Sequence, residues 1–339
     1  MKTVVLDRDV VETEVKPHAL LAEYRRLLAR EVEQNLSQGL GECPCPGCRS
    51  DQSTQAFSRF ALAYRQCAVC HSLFVSPRPT EAALSSFYRD SEAIRYWRQE
   101  ILPATQEARR TKLFRPRAQW LLDVVDEYRP QARKALAVGY HNDLLIEGLL
   151  NLEENLFQVV VTNPVADIEF ANRQLPGVQI LPTPLSTVAN LGPVDLFMAF
   201  DILDRCADLE ALFAAARAAL APGGLLLGTT TLGSGFDIQI LWEHAPGVYP
   251  PERLNLLTVE GLSALFARHG FEALEFSTPG MFDAEEVQRV VREHPEANWP
   301  RFIRYMVENR GEETLGALQE FLQRFRLSSF ARLVLRRLE

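Results

Sequence analysis

Hydrophobic and polar residues recur along the chain with different periods, which separates helical flanks from a central α/β region. Residues 19–38 place apolar side chains every three or four positions, which predicts an amphipathic helix. Gly39 follows as a stop signal. A second helical stretch, rich in aromatic residues and arginines, continues to about Tyr128. From Lys134 onward, short apolar runs alternate with helical patterns, as they do in sheets built from βαβ units.

These apolar runs predict the strands of a mostly parallel sheet. The predicted strands are 135–139, 158–162, 178–181, 194–200 and 225–230, with helices at 168–173 and 209–220. Strands that are apolar throughout are covered by helices on both faces, and ligands bind beyond their carboxyl ends. The stretch 283–335 carries apolar anchors at helical spacing, which predicts a C-terminal helical region.

Four of the six cysteines stand in two Cys-x-x-Cys pairs, Cys45 with Cys48 and Cys67 with Cys70. This spacing is typical of a zinc ribbon, in which two knuckles complete a tetrahedral four-thiolate site. Because such a site has no open position for water, we expect the zinc to be structural. Two disulfides or four free thiols are the alternatives, and Cys43 is a further thiol that could replace Cys45.

Composition narrows the classes of function. The 339-residue chain has a net charge of -8, which argues against a general nucleic-acid binder. No apolar run approaches the roughly 18 residues of a membrane span, and the first residues lack a signal-peptide pattern. Cysteines used as thiolates suit a reducing compartment, so we expect a cytoplasmic protein.

The patterns together predict an α/β fold preceded by a small ribbon and flanked by helices. The expected boundaries are an N-terminal helical arm at 1–42, a zinc ribbon at 43–80, a helical linker at 81–130, an α/β domain at 131–280 and a C-terminal helical region at 281–339. A protein partner or a second copy of the chain could dock through the helical arms.

Two stretches carry a resemblance to a known family. The run from Phe200 to Arg205 reads Phe-Asp-Ile-Leu-Asp-Arg, and Leu-Ala-Pro-Gly-Gly ends at Gly224 after the next helix. They resemble the middle of class I S-adenosylmethionine-dependent methyltransferases. The run from Cys67 to Thr80, which ends in Pro-Arg-Pro-Thr, is similar to a bacterial subgroup with an N-terminal zinc ribbon. The resemblance implies a Rossmann-like fold, S-adenosylmethionine as cofactor, and a small-molecule or sugar-type methyl acceptor.

The cofactor loop departs from the family pattern Asp-x-Gly-x-Gly-x-Gly. After the first strand of the sheet the chain reads Ala-Val-Gly-Tyr-His-Asn-Asp from Ala137 to Asp143, and only one glycine matches. We expect Asp143 to cap a helix that starts near Leu144, where the cofactor carboxylate would otherwise sit. Carried over onto matching positions, the resemblance implies cofactor contacts at Gly139, Tyr140, Asn163, Phe200 and Asp201.

The segment 233–252 is expected to cover the pocket, which makes His244 and Tyr249 the candidate catalytic residues. Two functions stay open at this point. The first is methyl transfer, with these residues orienting the acceptor or accepting a proton. The second is a catalytically silent relative, which keeps the fold and serves as a binding or scaffolding subunit.

Overall fold

The computed structural model describes residues 10–139, 142–152, 158–162, 177–181 and 185–339. The strands are β1 (Ser53–Arg59), β2 (Leu62–Cys67), β3 (Leu73–Val75), β4 (Lys134–Val138), β5 (Gln158–Thr162), β6 (Val178–Leu181), β7 (Val194–Phe200), β8 (Leu220–Thr231), β9 (Asn255–Leu256), β10 (Phe271–Ser277) and β11 (Phe330–Arg337). The α-helices are Glu12–Val15, His18–Asn35, Glu81–Asp90, Glu92–Tyr96, Leu102–Arg109, Arg115–Tyr128, Asn142–Leu152, Leu209–Ala219, Phe236–Leu241, Val259–Arg268, Asp283–Glu293, Arg301–Asn309 and Glu312–Arg324.

A seven-stranded sheet in the order β10-β11-β8-β7-β4-β5-β6 forms the centre of the molecule. Strands β4 to β8 run parallel, and β11 is antiparallel to both of its neighbours. Buried apolar side chains from the strands join two separate clusters, each with its own helices. The predicted α/β fold with a mostly parallel sheet is confirmed. The helix predicted at 168–173 lies outside the described residues.

The C-terminal segment corrects the sequence prediction. The sequence predicts helices over 283–335, but the observed helices end at Arg324. Phe330–Arg337 is a strand that lies between β8 and β10. Residues 331–335 are all buried, so the strand lacks the polar–apolar alternation by which strands are recognised. Its Arg332 is covered by the ring of Trp120, 5.1 Å from the guanidinium carbon to the ring centroid. The helices between 283 and 324 are therefore an insertion between two strands of one sheet.

The helical linker contains two π-helical turns, Trp97–Ile101 and Arg110–Phe114. In each turn a backbone N–H bonds a carbonyl five residues back: Leu102 N to Trp97 O, and Arg115 N to Arg110 O. Pro103 and Pro116 each come two residues after the end of a turn, and a proline has no N–H to donate within the helix. The wider turns bring side chains from this helix to the cavity described below.

The ribbon forms a four-stranded sheet, β1-β2-β3-β9, whose last strand comes from far along the chain. Side chains also join it to the helix Val259–Arg268. Thr258 Oγ1 donates to Cys70 O at 2.6 Å, and Thr258 N donates to Ser72 Oγ at 3.0 Å. A Cβ at Gly47 would lie 2.9 Å from the Cα of Gly261, so the two backbones touch. The ribbon is thus packed directly on the α/β domain.

Two local predictions hold. The N-terminal amphipathic helix is His18–Asn35, with Tyr24, Leu27, Leu28 and Val32 buried. Thr80 caps the helix Glu81–Asp90 by accepting a hydrogen bond from Ala83 N at 3.2 Å. In the described part of the chain, no helix has the length and apolar character needed to cross a membrane.

Candidate active site and metal centre

The four cysteines of the two Cys-x-x-Cys pairs converge at one point. The Sγ atoms of Cys45 and Cys70 are 3.5 Å apart, as are those of Cys48 and Cys67. All four sulfur atoms lie within 4.8 Å of one another. Cys43 Sγ is directed away, towards Val75 O at 3.8 Å. The arrangement therefore selects the four cysteines with ribbon spacing and leaves Cys43 outside.

The donor set fits zinc. Zn–S bonds of about 2.3 Å at tetrahedral angles place sulfur atoms roughly 3.8 Å apart, close to the spacing observed. Cys45 and Cys67 are fully buried, and a closed four-sulfur shell has no position for a reacting water. The four cysteines could hold zinc as a structural ion. A reacting group must therefore be sought elsewhere, among the polar residues at the carboxyl edge of the large sheet.

The carboxyl ends of β4 and β7 meet at Gly139 and Asp201. Gly139 has φ +127°, a conformation that favours glycine. A Cβ there would lie 3.2 Å from Ile202 Cβ and 3.3 Å from Phe200 O. Phe200 is itself buried, with its ring 6.2 Å from that of Trp120. Of the two residues at the end of β7, only Asp201 faces open space.

Asp201 is held by two groups. Arg117 Nη1 donates to Asp201 Oδ2 at 2.8 Å, and Thr229 Oγ1 donates to Oδ1 at 2.7 Å. Burial acts to raise the pKa of this carboxyl, but Arg117 and Thr229 outweigh it and hold the pKa well below its usual range. Asp201 is therefore an ionised carboxylate with a fixed orientation.

A cavity of about 370 Å³ opens beside Asp201. Its walls come from the N-terminal arm, both π-helical turns, the carboxyl edge of the sheet, the segment 246–253 and the C-terminal insertion. Leu144, in the helix that follows β4, lines the same cavity. A volume of this size accommodates a small molecule. The cavity lies where parallel α/β sheets bind their ligands.

Two reciprocal ion pairs cross the wall of the cavity. Arg205 Nη2 lies 2.7 Å from Glu252 Oε2, and Arg253 Nε lies 3.3 Å from Asp204 Oδ2. Asp204 also accepts hydrogen bonds from the hydroxyl of Thr230 and from Thr231 N. These contacts join the end of β7 to the segment that covers the pocket. Tyr249 lies in the same segment, and its carbonyl accepts a hydrogen bond from Arg253 N at 3.0 Å.

The structure separates the two candidate catalytic residues. Tyr249 lines the cavity, and its ring lies 6.3 Å from that of Tyr24. His244 is absent from the described lining and packs its ring 5.2 Å from Trp299 and 5.3 Å from His294. Only Tyr249 shares the cavity with Asp201.

Part of the predicted cofactor loop lies outside the described residues, namely Tyr140, His141 and Asn163. The helix after the loop begins at Asn142, two residues earlier than predicted. Asp143 therefore lies within the first helical turn and does not occupy the N-cap position that the sequence indicated. The expected cofactor contacts at Tyr140 and Asn163 stay predictions.

Sequence reasoning missed Arg117 and the partnership of Arg205 with Glu252. A signal for the ion pairs was present, because Asp204-Arg205 and Glu252-Arg253 are both acid–arginine pairs. Each arginine bonds the acid of the other segment. No pattern marked Arg117, which comes from the helical linker and reaches Asp201 only through the fold.

Comparisons with known proteins give one family match and several similar solved structures. A family model described as a methyltransferase domain matches residues 105–275, half of the chain. A search of curated proteins gives no match. Among solved structures, similarity extends to a candidate sarcosine dimethylglycine methyltransferase from Galdieria sulphuraria, with 13% identity, TM-score 0.43, and coverage of 70% of this chain and 88% of that one. It extends also to a SAM-dependent methyltransferase from Archaeoglobus fulgidus, with 11% identity, TM-score 0.42, and coverage of 68% and 98%.

The family match spans the helical linker from residue 105 onward and the chain from β4 almost to the end of β10. It thus includes Arg117, Gly139, Asp201 and both reciprocal ion pairs. The match agrees with the resemblance of the sequence to class I, S-adenosylmethionine-dependent methyltransferases. The chain belongs to the methyltransferase-domain family.

Proposed function

We propose that the protein transfers a methyl group from S-adenosylmethionine to a small-molecule or sugar-type acceptor held in the cavity beside Asp201. One observation carries the proposal: the cavity lies at the carboxyl edge of β4 and β7 and is lined by Leu144, Asp201 and Tyr249. In parallel α/β sheets this edge is the usual ligand site. The volume of about 370 Å³ suits a small molecule.

The residues present fit the cofactor in part. Gly139 offers a backbone with no side chain at the end of β4, and Asp201 offers an ionised carboxylate at the end of β7. These two, with Phe200 behind them, would hold the cofactor, which supplies a methyl group bound to a positively charged sulfur. The fixed carboxylate of Asp201 suits a hydroxyl or an ammonium group, because both donate hydrogen bonds.

Tyr249 is the residue suited to orient the acceptor. Burial raises the pKa of its phenol, so its Oη keeps the proton at neutral pH and can donate a hydrogen bond. The ion pair of Glu252 with Arg205 holds the adjoining backbone in place. Walls from five parts of the chain partly enclose the cavity, and partial enclosure reduces the access of water to a bound donor and acceptor.

A second candidate function is that of a silent relative, and the ion pair of Asp201 with Arg117 favours it. The pair satisfies a carboxylate that would otherwise be available to a ligand. In that case the fold would serve as a binding or scaffolding subunit, through the helical arms, for a protein partner or a second copy.

Calorimetric titration with S-adenosylhomocysteine and S-adenosylmethionine tests the proposal. Micromolar binding that is lost in Asp201→Ala and kept in Asp126→Asn, an exposed carboxylate, would support a methyltransferase. Absence of binding to either compound by the folded wild-type protein would leave the silent relative as the function.

The remaining assignments are also proposals. Cys45, Cys48, Cys67 and Cys70 would hold one structural zinc, which is expected to fasten the ribbon onto the α/β domain. We propose a cytoplasmic protein, and we retain the arm at 1–42, the ribbon at 43–80 and the linker at 81–130 as its N-terminal parts.

A further inference from the structure

The cavity beside Asp201 is rich in positive charge although the chain is acidic. Seven of its lining residues are lysine or arginine and three are aspartate or glutamate. The whole chain has 44 acidic and 36 basic residues. Cations concentrated in a partly enclosed space raise the local potential and attract anions.

Four of these cations have a carboxylate partner. The pairs are Arg205 with Glu252 at 2.7 Å, Arg289 with Glu293 at 2.8 Å, Arg253 with Asp204 at 3.3 Å and Lys16 with Glu286 at 3.9 Å. Their charges are largely balanced within the protein. The surplus must therefore come from the other lining cations.

The remaining lining cations are Arg25, Arg98 and Arg109, and Arg25 and Arg109 donate to neutral oxygens. Arg25 donates to the carbonyls of Leu21 at 3.0 Å and Pro246 at 3.3 Å. Arg109 donates to Thr105 Oγ1 at 2.9 Å and Val15 O at 3.0 Å. Across the described ranges, neither guanidinium has a carboxylate within ion-pair distance. Burial lowers the pKa of Arg109, the direction expected for a cation taken out of water.

Aromatic side chains form the rest of the wall near these arginines. The guanidinium carbon of Arg109 lies 5.3 Å from the ring centroid of Trp97. The Trp97 ring meets that of Tyr24 edge-on at 5.2 Å, and Tyr24 contacts Tyr249. Such a wall favours a ligand with a flat or apolar body. Both arginines retain donors for an oxyanion, since each guanidinium has five N–H groups.

We propose that this cavity binds an organic anion, with Arg25 and Arg109 holding its carboxylate or phosphate group and the aromatic wall holding its body. That the anion is the methyl acceptor rests on the function proposed above. The binding itself does not, because it requires only the cavity.

The test uses the full-length protein without cofactor and three ring compounds. Benzoate and phenyl phosphate carry the two anionic groups, and benzyl alcohol is a neutral compound of similar size. We expect saturable binding by calorimetry for at least one anion, at least about tenfold tighter than for benzyl alcohol. The anion that binds more tightly identifies carboxylate or phosphate as the natural group.

Variants on two neighbouring positions of one helix provide a matched control. Arg25→Gln removes a cavity cation, whereas Arg26→Gln removes a solvent-facing one that pairs with Glu23 at 2.7 Å. We expect Arg25→Gln and Arg109→Gln each to weaken anion binding about tenfold or more, and Arg26→Gln to leave it unchanged. Arg109→Lys keeps the charge and should retain part of the affinity, which covers the case in which Arg109→Gln fails to fold.

Equal affinity for the anions and benzyl alcohol would overturn the proposal. The proposal would also be overturned if the folded Arg25→Gln variant bound the anion as tightly as the Arg26→Gln variant does. Titration with S-adenosylhomocysteine is a separate measurement. Anion binding without cofactor binding would therefore reject the methyltransferase proposal and keep this one.

Discussion

The guanidinium of Arg205 lies 2.7 Å from the carboxylate of Glu252, and both side chains are largely buried. Beside them Arg253 pairs with Asp204. Each arginine is bonded to the acid that precedes the other arginine, so the two pairs form one arrangement. Together they join the end of β7 to the segment 246–253 in the wall of the cavity.

Removing one partner of this buried pair should be costly. Glu252→Gln leaves the buried Arg205 without its counter-charge, and we expect a loss of about 3–5 kcal/mol in the free energy of unfolding. The double variant Arg205→Met with Glu252→Gln should lose less than the sum of the single changes. The exposed pair of Arg336 with Glu272 at 2.6 Å is the control, expected to contribute at most about 1 kcal/mol. Urea denaturation of the four variants of each cycle gives the coupling energies, and equal coupling in both cycles would contradict the prediction.

The metal centre predicts a specific pattern of zinc content. The purified protein should carry about one equivalent of zinc, and Cys67→Ser or Cys70→Ser should lose most of it. Cys43→Ser should keep the metal, because Cys43 Sγ points to Val75 O. Native mass spectrometry and elemental analysis measure the zinc content of the wild type and of each variant. Loss of zinc in Cys43→Ser would instead place that residue in the site.

The N-terminal arm predicts a pH dependence of stability. Burial raises the pKa of Glu12 to about 7, assisted by its hydrogen bond to Glu286 and opposed by Lys16. Glu286 has its pKa lowered to about 2, because Lys16 and the bond from Glu12 outweigh its burial. Between the ordinary value of 4.5 and about 7, the folded state holds the Glu12 proton and the unfolded state does not. The contribution of Glu12 to the free energy of unfolding is thus fully present below pH 4.5 and is lost as the pH rises to 7.

Replacing Glu12 tests that sign. Glu12→Gln keeps a neutral group at the position at every pH. The free energy of unfolding of the variant should therefore not decline between pH 4.5 and 7, and above pH 7 it should exceed that of the wild type by on the order of 1–2 kcal/mol. His18, 3.5 Å from Glu12, and Lys16 are unchanged in the variant. Glu33→Gln, on an exposed face of the next helix, is the control. Thermal melts at several pH values decide, and parallel curves for Glu12→Gln and wild type would refute the assignment.

Gly139 predicts a strain effect at the cofactor edge. Gly139→Ala must place a Cβ at φ +127°, 3.2 Å from Ile202 Cβ, and we expect a loss of about 1–3 kcal/mol in stability. Gly316→Ala is the contrasting change, since its Cβ meets nothing within 4 Å in a helix. It should raise stability by roughly 0.5–1 kcal/mol. Chemical denaturation separates the two, and a neutral Gly139→Ala would exclude strain there.

Local patterns predicted most of the fold. The β-branched run at 158–162, the apolar run ending at Asp201 and the Thr80 cap are each signalled by neighbouring residues, and all three occur. The strand Phe330–Arg337 is not signalled in this way. Residues 331–335 are buried on both faces, and Arg332 among them is covered by the ring of Trp120.

The candidate site was less predictable, because its residues meet only in three dimensions. Spacing alone predicted the four cysteines, since each pair forms one local turn. Arg117 reaches Asp201 from a helix far away in sequence, and Arg109 lines the cavity from the end of the helix Leu102–Arg109. Neither contact leaves a periodic signal in the sequence.

The position of β11 between β8 and β10 has a consequence for shortened chains. A chain that ends before Phe330 lacks the strand that joins β8 to β10. The edges of β8 and β10 that β11 pairs with would then expose unpaired backbone groups, which are templates for association with other chains. Truncation of only the last ten residues should therefore produce an aggregation-prone protein, although every helix of the chain is still present.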